Sequence, residues 1–137
     1  METAKQIVES AHAQIGTIQY KTVVTSAGHT LIADEPEGLI GGDTGMNPYS
    51  LLLASLGSCT AITLRMYIDR KMWVVENVGV KLDLYKTDKG VIIARRLSFK
   101  GELNDEQKKR LVQIANACPI HKILTGNIQI ETGLEIM

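Results

Sequence analysis

The architecture of this chain follows from Leu51 to Lys71, which have the sequence LLLASLGSCTAITLRMYIDRK. Asn47-Pro48 comes shortly before, and we expect a helix to begin there, because Asn is a good N-cap and Pro is favoured at the first helical position. Within this segment no charge occurs before Arg65, and apolar or small residues fall on every side of the helix. We therefore expect the helix to be buried all round, with a second subunit covering part of it.

This helix is not expected to cross a membrane. Its charge-free part, Leu51 to Leu64, is shorter than the roughly 20 apolar residues that span a bilayer. Met1 to Ser10 is mixed polar and lacks the apolar segment of a signal peptide. The sequence therefore predicts a cytoplasmic protein with no membrane partner.

Strand patterns occur on both sides of the helix. A weak alternation from Lys5 to Ile15 is followed by the β-branched segment Thr17 to Thr25, and a turn then leads into His29 to Ala33. After the helix, apolar residues alternate in Val78 to Leu84, and Val91 to Lys100 is expected to return as the second strand of a hairpin.

The C-terminal part predicts two more helices and a last strand. Asn104, with Gln107 three residues later, is a capping-box variant that begins a helix. Pro119 ends that helix and can begin a short one, and Ile128 to Thr132 is expected to form the last strand. The order βββ-α-ββ-α-α-β indicates an α+β fold, a single domain over residues 1–137, with largely antiparallel sheets around the central helix.

The overall charge argues against a nucleic-acid partner. Fifteen Lys and Arg residues balance fifteen Asp and Glu residues, so the formal net charge is zero, and only 4% of residues are aromatic. Nucleic-acid binders normally show a basic excess, and those that bind single strands also present stacking aromatic side chains. Neither feature is present in this sequence.

Several charged positions are expected to face solvent. The Gly-rich segment Asp34 to Asn47 is predicted to be a surface loop with solvated acidic side chains, namely Glu35, Glu37 and Asp43. Its glycines lack the Gly-Lys-Ser/Thr ending of a phosphate-binding loop. We also expect Arg95 and Arg96 to be solvent-facing charges on a strand, and His121 to be half-exposed on a helix.

Cys59 and Cys118 are the residues that could carry chemistry. Free cysteine is among the most buried residue types, so two inert core thiols are one explanation. However, small neighbours leave room beside Cys59, and Cys118-Pro119 places the second sulfur at a helix start, where N–H groups favour a thiolate. Inert packing and thiol redox chemistry both stay open. No Cys or His pair has the spacing of a zinc site.

Two separated motifs are similar to those of the OsmC/Ohr family, the osmotically inducible protein C and organic hydroperoxide resistance proteins. Asn47-Pro48 with Leu51 to Lys71 resembles the central helix of that family. Cys118-Pro119, followed by Gly126-Asn127-Ile128, resembles its Cys-Pro element and the strand after it. His29 to Pro36, with the sequence HTLIADEP, resembles the loop region of the OsmC-like branch.

The resemblance implies an intertwined homodimer, with active sites at the subunit interface, that reduces peroxides without a metal or flavin cofactor. Carried onto this chain, it makes Cys59 the peroxidatic cysteine, whose thiolate attacks an organic hydroperoxide and becomes a sulfenic acid. Cys118 would be the resolving cysteine, which forms a disulfide with Cys59 that an external dithiol then reduces.

The chain departs from the family pattern at two positions. Peroxidases of the family supply an Arg from the N-terminal part and a Glu on the first turn of the central helix. Here no Arg precedes Arg65, and the first turn, Pro48-Tyr49-Ser50, has no acid. Lys21, Arg65 or an arginine of the partner subunit are the alternatives for the cation. The alternative function is a divergent, non-catalytic dimer that binds a small apolar ligand.

Overall fold

The fold is described from a computed structural model that covers residues 4–137. Residues 1–3, which belong to the segment expected to lack a signal peptide, lie outside the described residues. The chain divides into two compact units, one ending at Leu52 and the other beginning at Leu53. The single domain stays a prediction.

The first unit contains a three-stranded antiparallel sheet in the order β1 (His12–Ile15), β2 (Thr22–Ser26) and β3 (His29–Ala33). The turn between β2 and β3 consists of Ala27 and Gly28, which both have positive φ angles, 51° and 79°. Two such residues form the turn that matches the twist of a tight hairpin. β3 has the predicted bounds, whereas β1 and β2 are shorter than their patterns suggest.

Asp34, which follows β3, anchors the loop after the sheet and is not at the surface as the sequence suggested. Its side chain is 3% exposed. The carboxylate accepts a hydrogen bond from the Thr44 hydroxyl and others from the backbone N–H groups of Tyr20, Glu35 and Thr44. These bonds, the one from the Thr44 hydroxyl above all, hold the pKa of Asp34 well below its usual range despite burial.

Two glycines let this loop fold back closely against the chain. A Cβ on Gly41 would lie 2.0 Å from the Glu35 carbonyl oxygen, and one on Gly45 would lie 1.9 Å from that of Ile32. Any side chain there would force the loop apart. The acidic residues Glu37 and Asp43 of this loop are exposed, as expected.

Helix α1 (Pro48–Lys71) begins as predicted, with the Asn47 side-chain oxygen accepting the Ser50 N–H at 2.8 Å. The fully buried residues form a single stripe at four-residue spacing: Leu56, Thr60, Leu64 and Ile68. Ile62 and Met66, on the opposite side, are exposed. The expected burial on all sides is therefore not found within one chain.

Helix α1 also meets the length and hydropathy criteria of a membrane span, in contrast to the sequence-based expectation. A single helix of this kind is weak evidence for a span, because core helices of water-soluble proteins meet the same criteria. The buried stripe of α1 has the pattern of such a core helix.

Strands β4 (Val75–Thr87) and β5 (Gly90–Gly101) form a long antiparallel hairpin. Both are longer than predicted. The face that carries Leu82 lies against α1, because a Cβ on Gly57 would come within 2.7 Å of the Leu82 Cδ1 atom. Arg95 is the cross-strand partner of Leu82 and belongs to the same face.

Two helices follow, α2 (Asp105–Ala115) and α3 (Pro119–Leu124). The predicted capping box is present: the Asn104 side chain accepts the Gln107 N–H at 2.8 Å, and the Gln107 side chain accepts the Asn104 N–H at 2.9 Å. The buried core joins α1, α2 and the start of β4 through Leu64, Ile68, Val75, Leu111 and Ala115. The fold is α+β with antiparallel sheets and three helices, as predicted.

The expected last strand, Ile128 to Thr132, is not formed. No helix or strand is assigned after Leu124 in the described residues, and Ile130 is 87% exposed. A strand exists only where a neighbouring strand takes its backbone hydrogen bonds, and none of the described strands pairs with this segment. The prediction of this strand was wrong.

The bonds to Asp34 predict a pH dependence of stability. Because its folded-state pKa lies below the unfolded value of about 3.9, the carboxylate stabilises the fold fully above that value. This contribution is lost as the pH falls toward the folded-state pKa. We expect Asp34→Asn to lower the free energy of unfolding at neutral pH and to flatten its decline in acid, as measured by urea unfolding. The physical reason is that an amide has only one accepting oxygen.

Asp43→Asn is the matched control, because Asp43 is an exposed carboxyl of the same loop. Its stability profile should follow that of the unmodified protein. Identical profiles for the two variants would contradict an anchoring role for Asp34.

Candidate functional site

The second unit brings together the two cysteines singled out in the sequence. Cys59 is half-buried on α1, directly before the buried Thr60, and Cys118 lies between α2 and α3 with 0% exposure. The two free thiols are close enough for each to shift the pKa of the other. A pair separated by 59 positions in the sequence is therefore assembled by the packing of α1 against the α2–α3 junction.

Cys118 is the N-cap residue of α3, and its side chain makes no capping hydrogen bond. Burial by itself would raise the pKa of this thiol. The polar surroundings of the sulfur, which include Cys59, the start of α3 and Thr60, outweigh burial and lower the pKa. Polar groups near a sulfur favour its charged form.

Cys59 has the opposite preference. Burial raises the pKa of its thiol, and the neighbouring Cys118 raises it further as a hydrogen-bond partner and as a like charge. The Ile120 N–H and the Thr63 side chain lower it, but by less. The two thiols therefore titrate as a coupled pair, in which the pKa of Cys59 is raised and that of Cys118 is lowered.

Arg95 of β5 contacts three side chains that lie close in sequence to the two cysteines: Thr60, Asn116 and His121. Its Nη1 donates to Thr60 Oγ1 at 3.0 Å, and its Nη2 donates to Asn116 Oδ1 at 2.8 Å. The same Nη2 lies 3.3 Å from His121 Nδ1. A guanidinium has no accepting lone pair, so the imidazole accepts here and carries its proton on Nε2. His121 is half-buried, close to expectation.

The expectation that Arg95 faces solvent was wrong, whereas it was right for Arg96. The Arg96 side chain is 68% exposed and lies 3.5 Å from Asp83. Arg95 occupies an inward position of β5, in phase with Ile93 and Leu97. The sequence contained a signal for this position, because Arg95 falls on the side of the alternating strand pattern that carries apolar residues. A charged side chain on that side needs hydrogen-bond partners inside the fold.

The other candidate cations have different positions. Arg65 donates to the Val75 carbonyl oxygen at 2.9 Å and lies 3.4 Å from Asp69, so its contacts are structural. Lys21 belongs to the first unit and is exposed. Within the described part of the second unit, Arg95 is the arginine that contacts Thr60.

A cavity of about 640 Å³ opens beside Arg95. Its apolar wall includes Leu56, Ile93, Leu97, Phe99, Val112 and Leu124. Polar groups from Asn116 and His121 lie on the same wall as the guanidinium. An apolar space with a few polar groups is typical of sites for small organic molecules.

No metal centre accompanies the thiols in the described part of the chain. Among residues 4–137, no group of three or more His, Cys, Asp or Glu side chains is arranged to hold an ion.

Comparison with known families agrees with the motifs around the two cysteines. The model of the OsmC-like protein family matches residues 41–133, which include both thiols. The chain belongs to the OsmC-like family. A comparison with curated protein sequences found no match.

Solved structures of OsmC-like proteins share the fold. The OsmC-like protein of Mycoplasma pneumoniae superposes with a TM-score of 0.76 at 16% identity, over 89% of this chain and 90% of that one. The organic hydroperoxide resistance protein OsmC of Legionella pneumophila gives 0.62 at 26% identity, over 90% and 93%. The organic hydroperoxide resistance protein OhrB of Bacillus subtilis gives 0.60 at 23% identity, over 88% and 93%.

The different exposure of the two thiols predicts an order of alkylation. In the reduced native protein we expect iodoacetamide to modify Cys59 first, because Cys118 has no exposed surface. The rate at Cys59 should rise with pH through a midpoint above the ordinary cysteine range, because only the thiolate reacts. Mass spectrometry of the peptides measures both rates.

The same reaction in denaturant is the control, and both cysteines should then react at similar rates. Faster labelling of Cys118 than of Cys59 in the native protein would contradict the buried position of Cys118.

Proposed function

We propose that this OsmC-like protein is a thiol-dependent peroxidase that reduces organic hydroperoxides. The observation that carries the proposal is the proximity of a half-buried Cys59 to a fully buried Cys118, each of which shifts the pKa of the other. The similarity to proteins named for organic hydroperoxide resistance supports it. The pair provides two electrons, as the reduction of one O–O bond requires.

The exposure of the thiols assigns their roles in this proposal. Cys59 is the attacking residue, because it is the less buried of the two cysteines. The sulfur attacks one peroxide oxygen, the O–O bond breaks, and the alkoxide takes a proton and leaves as an alcohol. Cys59 is left as a sulfenic acid.

Cys118 then resolves the sulfenic acid. Its thiolate attacks the Cys59 sulfur, a disulfide forms, and hydroxide leaves and takes up a proton to become water. Because the two thiols are already close in the reduced protein, we expect this step to need no unfolding of α1 or α3. An external dithiol reduces the disulfide, as suits a protein of the reducing cytoplasm.

Oxidation by an alkyl hydroperoxide tests this function. One equivalent added to the reduced protein should remove two hydrogens from its mass and link Cys59 to Cys118. Cys118→Ser should stop at a sulfenic acid that dimedone traps, because no second sulfur can attack it. Cys59→Ser should show neither product.

Ser58→Ala is the control, because Ser58 is an exposed neighbour whose hydroxyl donates to the Ser55 carbonyl oxygen within α1. It should oxidise like the unmodified chain. The absence of both disulfide and sulfenic acid in the unmodified protein would contradict the proposed peroxidase function.

The cavity beside Arg95 favours one second candidate, a non-catalytic dimer that binds a small apolar ligand. A ligand that copurifies with the protein, found by native mass spectrometry, together with thiols inert to peroxide, would select this function instead.

We also propose that the protein is a homodimer in which a second copy covers α1. Ile62 and Met66 lie on the side of α1 opposite the buried stripe and are 59% and 63% exposed. An exposed apolar helix face of this kind marks an interaction surface. A second copy of the same helix is a suitable partner, because a face that is apolar in one protomer is apolar in the other.

Charge on this face should prevent assembly. We expect the double variant Ile62→Glu/Met66→Glu to sediment as a monomer under conditions where the unmodified protein is a dimer, because each carboxylate would have to be desolvated. Ile130→Glu, at a position that is 87% exposed outside any helix or strand, should leave the sedimentation coefficient unchanged. Monomeric unmodified protein at micromolar concentration would contradict the proposal.

A further inference from the structure

A second cavity, of about 440 Å³, lies in the second unit, where the end of α1 meets the middle of α2. Three of its five lining side chains are cations and none is an acid: Tyr67, Arg70, Lys71, Arg110 and Ile114. It shares no lining residue with the cavity beside Arg95. Because the formal net charge of the chain is zero, the excess of positive charge belongs to this place and not to the surface as a whole.

We propose that this basic cavity binds a phosphate group, carried either by a small soluble compound or by a lipid headgroup. A phosphate monoester has close to two negative charges at neutral pH and several oxygens that accept hydrogen bonds at once. The site involves neither cysteine, so the proposal is independent of the peroxidase function.

The periodicity of two helices assembles the basic cavity. Tyr67, Arg70 and Lys71 are three and four positions apart, a spacing that places side chains on one face of a helix. Arg110 and Ile114 have the same four-residue spacing on α2. The helix dipole favours cations in the last turn of α1, but Arg110 lies in the middle of α2, where the dipole gives no such preference.

Neutral groups fix the Arg110 side chain. Its Nε donates to the Tyr67 hydroxyl at 3.1 Å, and its Nη1 donates to Gln113 Oε1 at 3.0 Å. Within residues 4–137, Nη2 has no hydrogen-bond partner. A guanidinium that two bonds hold in place can present its remaining N–H groups to an oxyanion, in the planar geometry that phosphate accepts.

The Tyr67 ring holds a second cation near Arg110. Lys71 Nζ lies 5.7 Å from the centroid of this ring, and Arg110 Cζ lies 5.8 Å from it. Cation–π attraction positions both side chains without neutralising either of them. Two cations held against one ring repel each other, and a bound anion would remove this cost.

No carboxylate neutralises these cations in the part of the chain that the structure describes. The ion pairs found among residues 4–137 include none of Arg70, Lys71 and Arg110. Asp69, which precedes Arg70 in the sequence, lies 3.4 Å from Arg65 instead. The positive charge of the basic cavity is therefore available to an anion from outside these residues.

A single phosphate group suits the basic cavity better than a nucleic-acid strand does. A strand carries a row of phosphates, and its binding sites are extended grooves with stacking aromatic side chains. Here three cations line one cavity of about 440 Å³, a volume within the range of sites for small molecules. Clusters of Arg are a general means of recognising phosphate groups.

Trp73 gives a direct readout of binding, because it is the only tryptophan of the chain and its ring contacts Tyr67 edge to face, with centroids 5.6 Å apart. Inorganic phosphate and pyrophosphate, titrated at constant ionic strength, should each change its fluorescence along a saturable curve. Both should also raise the Tm, since a ligand of the folded state stabilises it. No saturable response to either anion would overturn the proposal.

Substitutions locate the bound anion. Arg110→Gln should raise the Kd for phosphate about tenfold, an effect typical of losing one charge-assisted hydrogen bond. Lys71→Gln removes a cation from the other helix and should also raise the Kd, so the test does not depend on the folding of one variant. Arg96→Gln is the matched control, because Arg96 is an exposed arginine of β5. Equal Kd values for the three variants would contradict binding at this cavity.

Vesicles distinguish the two sources of the phosphate group. The probes are phosphatidylcholine vesicles with and without phosphatidic acid, whose headgroup is a phosphate monoester. Flotation that requires phosphatidic acid and is lost in Arg110→Gln, but not in Arg96→Gln, would assign the lipid headgroup. Protein that binds phosphate but does not float would assign a soluble compound. Flotation that both variants reduce equally would contradict recognition of the headgroup by the basic cavity.

Discussion

The packing of one stripe of α1 against the hairpin and α2 is the constraint on which the site depends. The stripe buries Leu64 and Ile68 in the core, and the same periodicity places Thr60 fully inside the fold. Cys59, one residue earlier, then falls at the margin of the core, where the residue is only half-buried. The apolar packing that stabilises the helix thus also determines which residues of the site are buried and which are partly exposed to solvent.

Burial of a polar site imposes a second condition, since each buried donor and acceptor needs a partner. The site satisfies this condition by placing uncharged hydrogen-bonding groups around one cation, Arg95. Within the described residues, no buried side-chain nitrogen or oxygen lacks a hydrogen bond. Thr60 and Asn116 accept from Arg95, so the guanidinium is held by neutral oxygens. A carboxylate in their place would cancel its charge, and neutral acceptors fix its position without doing so.

The sequence predicted the elements that local signals define. The N-caps at Asn47 and Asn104 and the Gly28 turn are short-range patterns, and the structure confirms them. The strand at Ile128 to Thr132 could not be judged in this way, because a strand depends on a partner elsewhere in the chain. Asp34 was missed for a similar reason: its donors come from Tyr20 and Thr44, which are distant in sequence.

The residues of the candidate site divide in the same way, into those that local sequence signals identify and those that depend on contacts distant in sequence. Composition and motifs identified Cys59 and Cys118, but the groups that shift the pKa of Cys118 come from α1 and α3, and Arg95 contacts Thr60 from a hairpin position opposite Leu82. Without the N-terminal arginine of its family, the chain still has a cation in phase with the inner face of β5. A strand tolerates such a residue only where the core provides acceptors, and Thr60 is one of them. Arg95 and Thr60 therefore depend on each other: Thr60 provides an acceptor for the inward guanidinium, and Arg95 donates to the buried hydroxyl oxygen.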